Sequence, residues 1–191
     1  MWEVIEAAAT KPYGFMKFLP GPGLGGHCIP VDPTYLAWKM KSLNFPARFI
    51  DLATEINSRM PDYVVERVSE ILNEDRIAVN GARILVLGAA YKADVGDVRE
   101  SPSIDVIQRL AQKGAEVSYH DPHVPELEIE GRPYKSADLT DERLETSHLV
   151  VILTDHTVVD LARVVARAQR VFDTRNATRG LSEAGEKVRR L

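Results

Sequence analysis

Cys28 is the only cysteine in the chain. No disulfide can form within it, and a lone thiol suits a reducing, cytoplasmic setting. Long apolar runs are also missing: none approaches the roughly 18 residues needed to span a bilayer. There is no surplus of positive charge either. The 191 residues hold 24 Lys and Arg against 28 Asp and Glu, a formal net charge of −4. Without a basic face, general nucleic-acid binding by counterion release has no basis. No internal repeat or low-complexity segment is present.

What is present is an ordinary globular composition, 45% hydrophobic and 27% charged, enough for one large domain or one and a half small ones at roughly 150 residues each. Trp2 to Thr10 reads as an amphipathic, acidic helix without a cap in front of it. It lacks the basic start and longer apolar core of a secretory signal. The chain is therefore expected to begin inside a structural element, as a fragment would. Residues 11–33 form a Gly- and Pro-rich loop of a length that tends to be functional. Its Tyr13, Phe15, Met16, Phe18 and Leu19 are expected to pack it into order.

A short helix is predicted over 34–42, broken at Asn44-Phe45-Pro46. A second apolar row follows: Phe49, Leu52, Ile56, Met60, Val64, Val68 and Leu72. Spacings of three and four place it on one helical face, with a kink or break expected at Pro61. A stripe this long must be buried on something, and a second subunit is a natural candidate. From residue 83 the pattern changes to alternating strands and helices. Arg83 to Gly88, Ala115 to Tyr119, Leu149 to Leu153 and Val171-Phe172 read as strands. Ser101-Pro102 opens a helix that Gly114 stops, and another covers 157–168. This is the signature of a parallel α/β sheet. Trp2 and Trp38 read as packing residues. His120-Asp-Pro-His123 reads as a turn rather than a metal pair, Thr154-Asp-His-Thr157 as helix capping, and Glu183 to Arg190 as a solvated helix face.

Gly21-Pro-Gly23-Leu-Gly25-Gly26 matches G-x-G-x-x-G in form, but no strand precedes it and prolines follow, so it is not a dinucleotide fingerprint. It reads instead as a backbone-lined cradle beside Cys28. There the thiol, flanked by His27 and followed by Asp32, has the access and polar neighbours a nucleophile needs. His27 reads as a loop or specificity residue rather than a general base. One Cys and scattered His residues do not make a metal-ligand set. Lys92 and Arg99 lie on one loop after a strand and before a helix, a placement that suits phosphate.

The run Gly-Pro-Gly-Leu-Gly-Gly-His-Cys28-Ile-Pro-Val-Asp32-Pro resembles the cysteine loop of the UDP-glucose/GDP-mannose dehydrogenase family. So do Glu55-Ile-Asn57, Leu87 through Pro102, Tyr119-His-Asp-Pro and Phe172-Asp-Thr-Arg175. The Gly-Gly-His-Cys-Ile-Pro form is similar to the branch acting on UDP-N-acetylhexosamines. The resemblance implies a helical dimerisation segment with the cysteine loop (1–78) followed by a Rossmann-like UDP-sugar-binding domain (79–191). The NAD-binding domain with which family members begin is expected to be absent from the chain. It implies oxidation of a nucleotide-sugar primary alcohol to a carboxylate with two NAD per turnover. Cys28 would form a thiohemiacetal and then a thioester, and Asp32 would help position water. By the same resemblance Phe18, Gly21, Gly25, Gly26, Tyr91, Lys92 and Arg175 contact the UDP-sugar, Arg99 reaches NAD, and a homodimer forms through the helix at 47–75. No nucleic acid, membrane or metal is expected to take part. The isolated chain is expected not to turn over substrate. A non-catalytic UDP-sugar-binding or oligomerisation module is the main alternative, and an unrelated thiol enzyme built on Cys28 and His27 a distant third.

Overall fold

The computed structural model describes residues 1–181 and 185–191. Helix α1 spans Trp2–Ala9, α2 Asp32–Lys41 and α3 Arg48–Glu74. Beyond α3 the chain alternates: β1 (Arg83–Leu87), α4 (Pro102–Gln112), β2 (Glu116–His120), β3 (Glu126–Ile129), β4 (Arg132–Lys135), α5 (Asp141–Thr146), β5 (Leu149–Ile152), α6 (Leu161–Arg167), β6 (Val171–Asp173) and β7 (Val188–Arg190). The main sheet is parallel throughout, in the order β2-β1-β5-β6-β7. The chain runs outward from β1 to β2, then returns to β5 on the other side of β1. That reversal opens a crevice at the carboxyl ends of β1 and β5, where open α/β sheets bind ligands.

Alternation along the strands explains the layers. Ile84, Val86, Val151 and Phe172 pack on one face with residues of α3 and α4. Leu85, Leu87, Val150 and Ile152 pack on the other with Leu144 of α5 and Val164 and Val165 of α6. Helix α3 is shared between two environments. Its C-terminal half buries Val64, Val65, Val68, Ile71 and Leu72 in the sheet's own core, so this part of the stripe needs no second subunit. Its N-terminal half leaves Phe49, Leu52 and Ile56 exposed. The helix runs unbroken through Pro61. An interior proline costs about 3 kcal/mol, whereas each buried aliphatic side chain is worth roughly 1.5–3 kcal/mol. Five of them follow the proline and anchor the C-terminal turns of the helix on the sheet.

Several expectations need correction. Trp38 is exposed, as are Tyr13, Phe15, Met16, Phe18 and Leu19; none of the described residues folds over them. The expected helix at 157–168 begins at Leu161, capped by Asp160, whose side chain accepts from the Arg163 amide. Thr154 to Thr157 is drawn into tertiary hydrogen bonds instead of capping it. The charged C-terminus is not a helix face. Gly185–Lys187 makes a 3-10 turn and Val188–Arg190 pairs with β6 as an edge strand, charged as edges tend to be; Glu183 lies outside the described residues. The β3–β4 hairpin and α5 escaped the sequence reading, because their strands are short and rich in charge. The hairpin's turn is carried by Glu130 and Gly131, both at positive φ, as two-residue hairpins require.

A single buried carboxylate ties the crevice together. Asp121 follows β2 and has a fully buried side chain. One oxygen accepts from the Ala89 and Ala90 amides at 2.7 and 3.0 Å and from His156 Nε2 at 3.0 Å. The other accepts from the His123 and Val124 amides at 2.8 and 3.1 Å. Burial alone would raise its pKa, but the His156 bond and the backbone amides outweigh that and hold it well below the usual carboxylate range. The unfolded chain therefore takes up a proton here before the folded one does. Stability from Asp121 is present above the unfolded value near 4 and is lost as pH falls toward the lower folded one. Asp121→Asn should cost about 1–3 kcal/mol at pH 7 by leaving buried partners badly matched, and should flatten the loss of stability below pH 4. Urea unfolding at pH 7, 4 and 3 checks this; parallel curves for the two proteins would refute it.

Candidate active site at the sheet crevice

The glycine loop lies across the mouth of the crevice, and its contacts account for its composition. A Cβ on Gly21 would fall 2.6 Å from Arg175 Nη1. One on Gly25 would fall 2.6 Å from Tyr91 Cβ and 2.7 Å from the Glu100 carbonyl oxygen. Gly26 is buried, has a φ of 87°, and donates its amide to the Arg99 carbonyl at 2.9 Å. Side chains at Gly25 and Gly26 would push the loop off the β1–α4 connection, and one at Gly21 would push it off Arg175 just past β6. Asn57 of α3 fixes the loop from the other side by accepting the Leu24 amide at 2.7 Å. Nothing local in the sequence marks Asn57 for this role: an amide on the exposed half of an amphipathic helix gives little sign of a partner 33 positions away.

Cys28 follows directly and is exposed. Its carbonyl accepts from the Val31 and Asp32 amides at 3.1 and 2.8 Å, a turn that leads into α2 with Asp32 as its first residue. An acidic residue in a first turn is favoured by the helix dipole. Arg99 is exposed and pairs with Asp97, with Nη2 to Oδ2 at 2.6 Å. Hydrogen bonding to Asp97 raises the Arg99 pKa, with the Asp97 charge acting in the same direction. Asp97 in turn is pulled down to about 2 by Arg99.

Arg175 sits deeper. The backbone before it is wound around buried Asp173, whose carboxylate accepts from the Arg175 amide at 2.9 Å and the Thr178 amide at 2.7 Å. Arg175 Nε donates to the Leu153 carbonyl at 2.7 Å. Burial lowers its pKa, opposed by the Asp155 charge, and among the described residues it has no carboxylate in salt-bridge contact. A half-buried cation held this way, with Nη1 against Gly21, favours an anionic or oxygen-rich ligand.

The structure thus brings together Gly21 with Arg175, Gly25 and Gly26 with Tyr91, and Gly26 with Arg99. Tyr91 supports the loop with its ring. Lys92 is exposed and, among the described residues, has no ion-pair partner. Phe18 and Asp32 are exposed, and no described side-chain contact ties them to the others. The start of α4 is not open on the side of the cysteine loop, since Gly23 and Gly25 pack on Pro102. Two clefts flank Asn57: an apolar one of about 340 Å³ between Ile29, Pro30 and Phe49, and a polar one of about 320 Å³ reaching Glu100, Asp105 and Arg109.

Asp121 reads from the sequence as part of a turn, and Thr154 and His156 as part of a helix cap; what marks them instead is position, at the carboxyl ends of strands neighbouring or bordering the crevice. Donor atoms of Asp94, His123 and His156 come within 4.8 Å of one another. His156 Nδ1 already accepts the Asp94 amide at 3.0 Å and its Nε2 faces Asp121, which leaves no ring lone pair for a metal. No helix among the described residues is long and apolar enough to cross a membrane.

Comparison with known proteins agrees with this fold. Residues 85–180 match the UDP binding domain of the UDP-glucose/GDP-mannose dehydrogenase family, and residues 1–59 its central domain. The chain is 37% identical over 185 residues to a UDP-N-acetyl-D-mannosamine dehydrogenase of Methanococcus maripaludis, covering 92% of this chain and 40% of that protein. It is 38% identical over 121 residues to a UDP-N-acetyl-D-glucosamine 6-dehydrogenase of Pseudomonas aeruginosa, covering 63% of this chain and 28% of that protein. The structure of a UDP-D-ManNAc dehydrogenase from Pyrococcus horikoshii superposes with a TM-score of 0.80 at 30% identity, over 99% of this chain and 43% of that one. The chain spans about 40% of the length of the curated relatives that match most of it. Fold, crevice and aligned segments together place the chain in the UDP-glucose/GDP-mannose dehydrogenase family.

Proposed function

We propose that these residues form the nucleotide-sugar side of an NAD-dependent 6-dehydrogenase that oxidises the primary alcohol of a UDP-hexose or UDP-N-acetylhexosamine to the uronic acid. The supporting observation is the meeting of the cysteine loop with two cation-bearing segments, Gly21 against Arg175 just past β6 and Gly26 bonded to Arg99 in the β1–α4 connection. The N-acetylhexosamine class is favoured by the relatives aligned over most of the chain.

In this reading Lys92 faces the diphosphate, Arg175 the nucleotide sugar, and Phe18, Gly21, Gly25, Gly26 and Tyr91 shape the pocket. Cys28 Sγ adds to the carbonyl carbon of the intermediate aldehyde, giving a thiohemiacetal. Hydride loss from that carbon leaves a thioester. Water positioned by Asp32 then attacks, the C–S bond breaks, and the acid departs with the thiol restored. The residues here fit only a rim contact to NAD: Arg99 is exposed, and Nη1 makes no described bond while Nε and Nη2 hold Asp97. When bound, NAD supplies the hydride acceptor. An exposed free thiol suits the cytoplasm. The exposed Phe49, Leu52 and Ile56 of α3 are the proposed homodimer face, within the helix at 47–75.

Calorimetric titration with UDP should show saturable binding. Lys92→Ala should weaken it by about 10- to 100-fold, the equivalent of roughly 1.5–3 kcal/mol for a charge-assisted contact; equal affinity would remove Lys92 from the site. In a form of the enzyme that holds NAD, Cys28→Ser should abolish acid formation while UDP-sugar affinity stays within about threefold; unchanged turnover would sink the nucleophile assignment. Sedimentation velocity should show a dimer that Phe49→Glu converts to monomer, and a wild-type monomer at micromolar concentration would refute the dimer face.

A further inference from the structure

Lys92 stands at the tip of a turn without a partner among the described residues, yet the backbone on both sides of it is held. On the near side, Ala90 donates its amide to Asp121 at 3.0 Å, and its carbonyl accepts from Thr154 Oγ1 at 2.6 Å. On the far side, Asp94 donates its amide to His156 Nδ1 at 3.0 Å. The Asp94 carboxylate accepts from the Thr157 amide and Oγ1 at 2.9 and 3.1 Å. Only Tyr91, Lys92 and Ala93 lie between these two anchors. The turn is closed across its base by the Tyr91 amide, which donates to the Asp97 carbonyl at 3.0 Å.

Asp94 has a φ of 60°, an uncommon conformation for a residue with a Cβ, which persists only where surrounding contacts impose it. The contacts that impose it here come from the segment after β5. The Asp94 amide can only donate, so His156 Nδ1 carries the lone pair and the ring proton resides on Nε2, directed at Asp121. The Asp121 carboxylate thereby selects the tautomer that makes Nδ1 an acceptor. His156 is fully buried, and His123 packs tilted against it at a ring-centroid distance of 5.0 Å, so the imidazole has little room to turn.

We infer that His156 is a positioning residue for the anion site: it anchors the backbone just past Lys92 and so sets where the Lys92 ammonium meets the diphosphate of the nucleotide sugar. This rests on the reading of Lys92 as a diphosphate contact. Asp121 acts one step further back, through the tautomer of His156. The two strand ends that flank β1 in the sheet, those of β2 and β5, thus converge on one exposed lysine.

Two substitutions separate the imidazole's two bonds. His156→Asn keeps an acceptor near Nδ1 and gives up the donor to Asp121. His156→Gln keeps a donor near Nε2 and gives up the acceptor for Asp94. Calorimetry with UDP, melting curves and amide exchange are read on the whole chain. Asn should retain UDP affinity within about threefold, whereas Gln should weaken it by about tenfold and speed exchange at the Asp94 amide. A general loss of structure would not order the variants this way. Thr157→Val, at an exposed position, probes the same anchor without touching the buried pair and should weaken UDP by about two- to threefold. Equal UDP affinity in Gln and wild type, or unchanged Asp94 exchange in Gln, would overturn the inference while a Lys92→Ala defect left the reading of Lys92 standing. Failure of the wild-type chain to bind UDP would overturn both.

Discussion

The carboxylate of Asp121 is the constraint from which the rest of the site follows. A parallel sheet ends in a row of backbone groups that the ladder no longer satisfies, and at the crevice two of these, the Ala89 and Ala90 amides, are buried. Leaving them unpaired would cost about 1–3 kcal/mol each. Asp121 satisfies both and takes three further donors, so a buried charge is stable without a cationic partner. With Ala89 and Ala90 fixed, the β1–α4 connection leaves the sheet in one direction. Its far end is then met by Ser101, which donates its hydroxyl to the Ala89 carbonyl at 2.7 Å and caps α4.

On that fixed connection the glycine loop finds its seat. Each glycine that lacks a Cβ does so against a particular neighbour: Arg175 at Gly21, Tyr91 and Glu100 at Gly25. The cysteine therefore owes its place to contacts made by residues before it, together with the Asn57 bond to Leu24. Cys28 itself contributes only its carbonyl, which starts the turn into α2. The arrangement leaves the thiol uncovered while the backbone on either side of it is tied.

Much of the architecture was legible without coordinates. The apolar run of β1, the Ser101-Pro102 opening of α4 and the stop at Gly114 state their structure locally, through burial pattern, cap chemistry and a glycine at a positive φ. The elements that were missed, β3, β4, α5 and β7, carry little apolar periodicity, and β7 is a strand only because β6 offers it a ladder. Thr154 to Thr157 reads locally as a cap, yet its hydroxyls and imidazole are spent on residues more than 30 positions away. Exposed Trp38 and the exposed aromatic loop show the converse: an apolar residue type does not say whether its cover lies within the same chain.

Residue order alone set the strand–helix alternation, the glycine cradle before Cys28 and the segments that carry the family. These depend on spacing and on residue type at one position, which the chain displays directly. Tertiary contacts alone put half of α3 in the sheet's core, make Asn57 and Tyr91 braces of the glycine loop, and set Asp121 and His156 to hold the turn bearing Lys92. Hydrogen bonds between strand ends depend on which strands become neighbours, and that order, β2-β1-β5, exists only once the sheet has closed around its core.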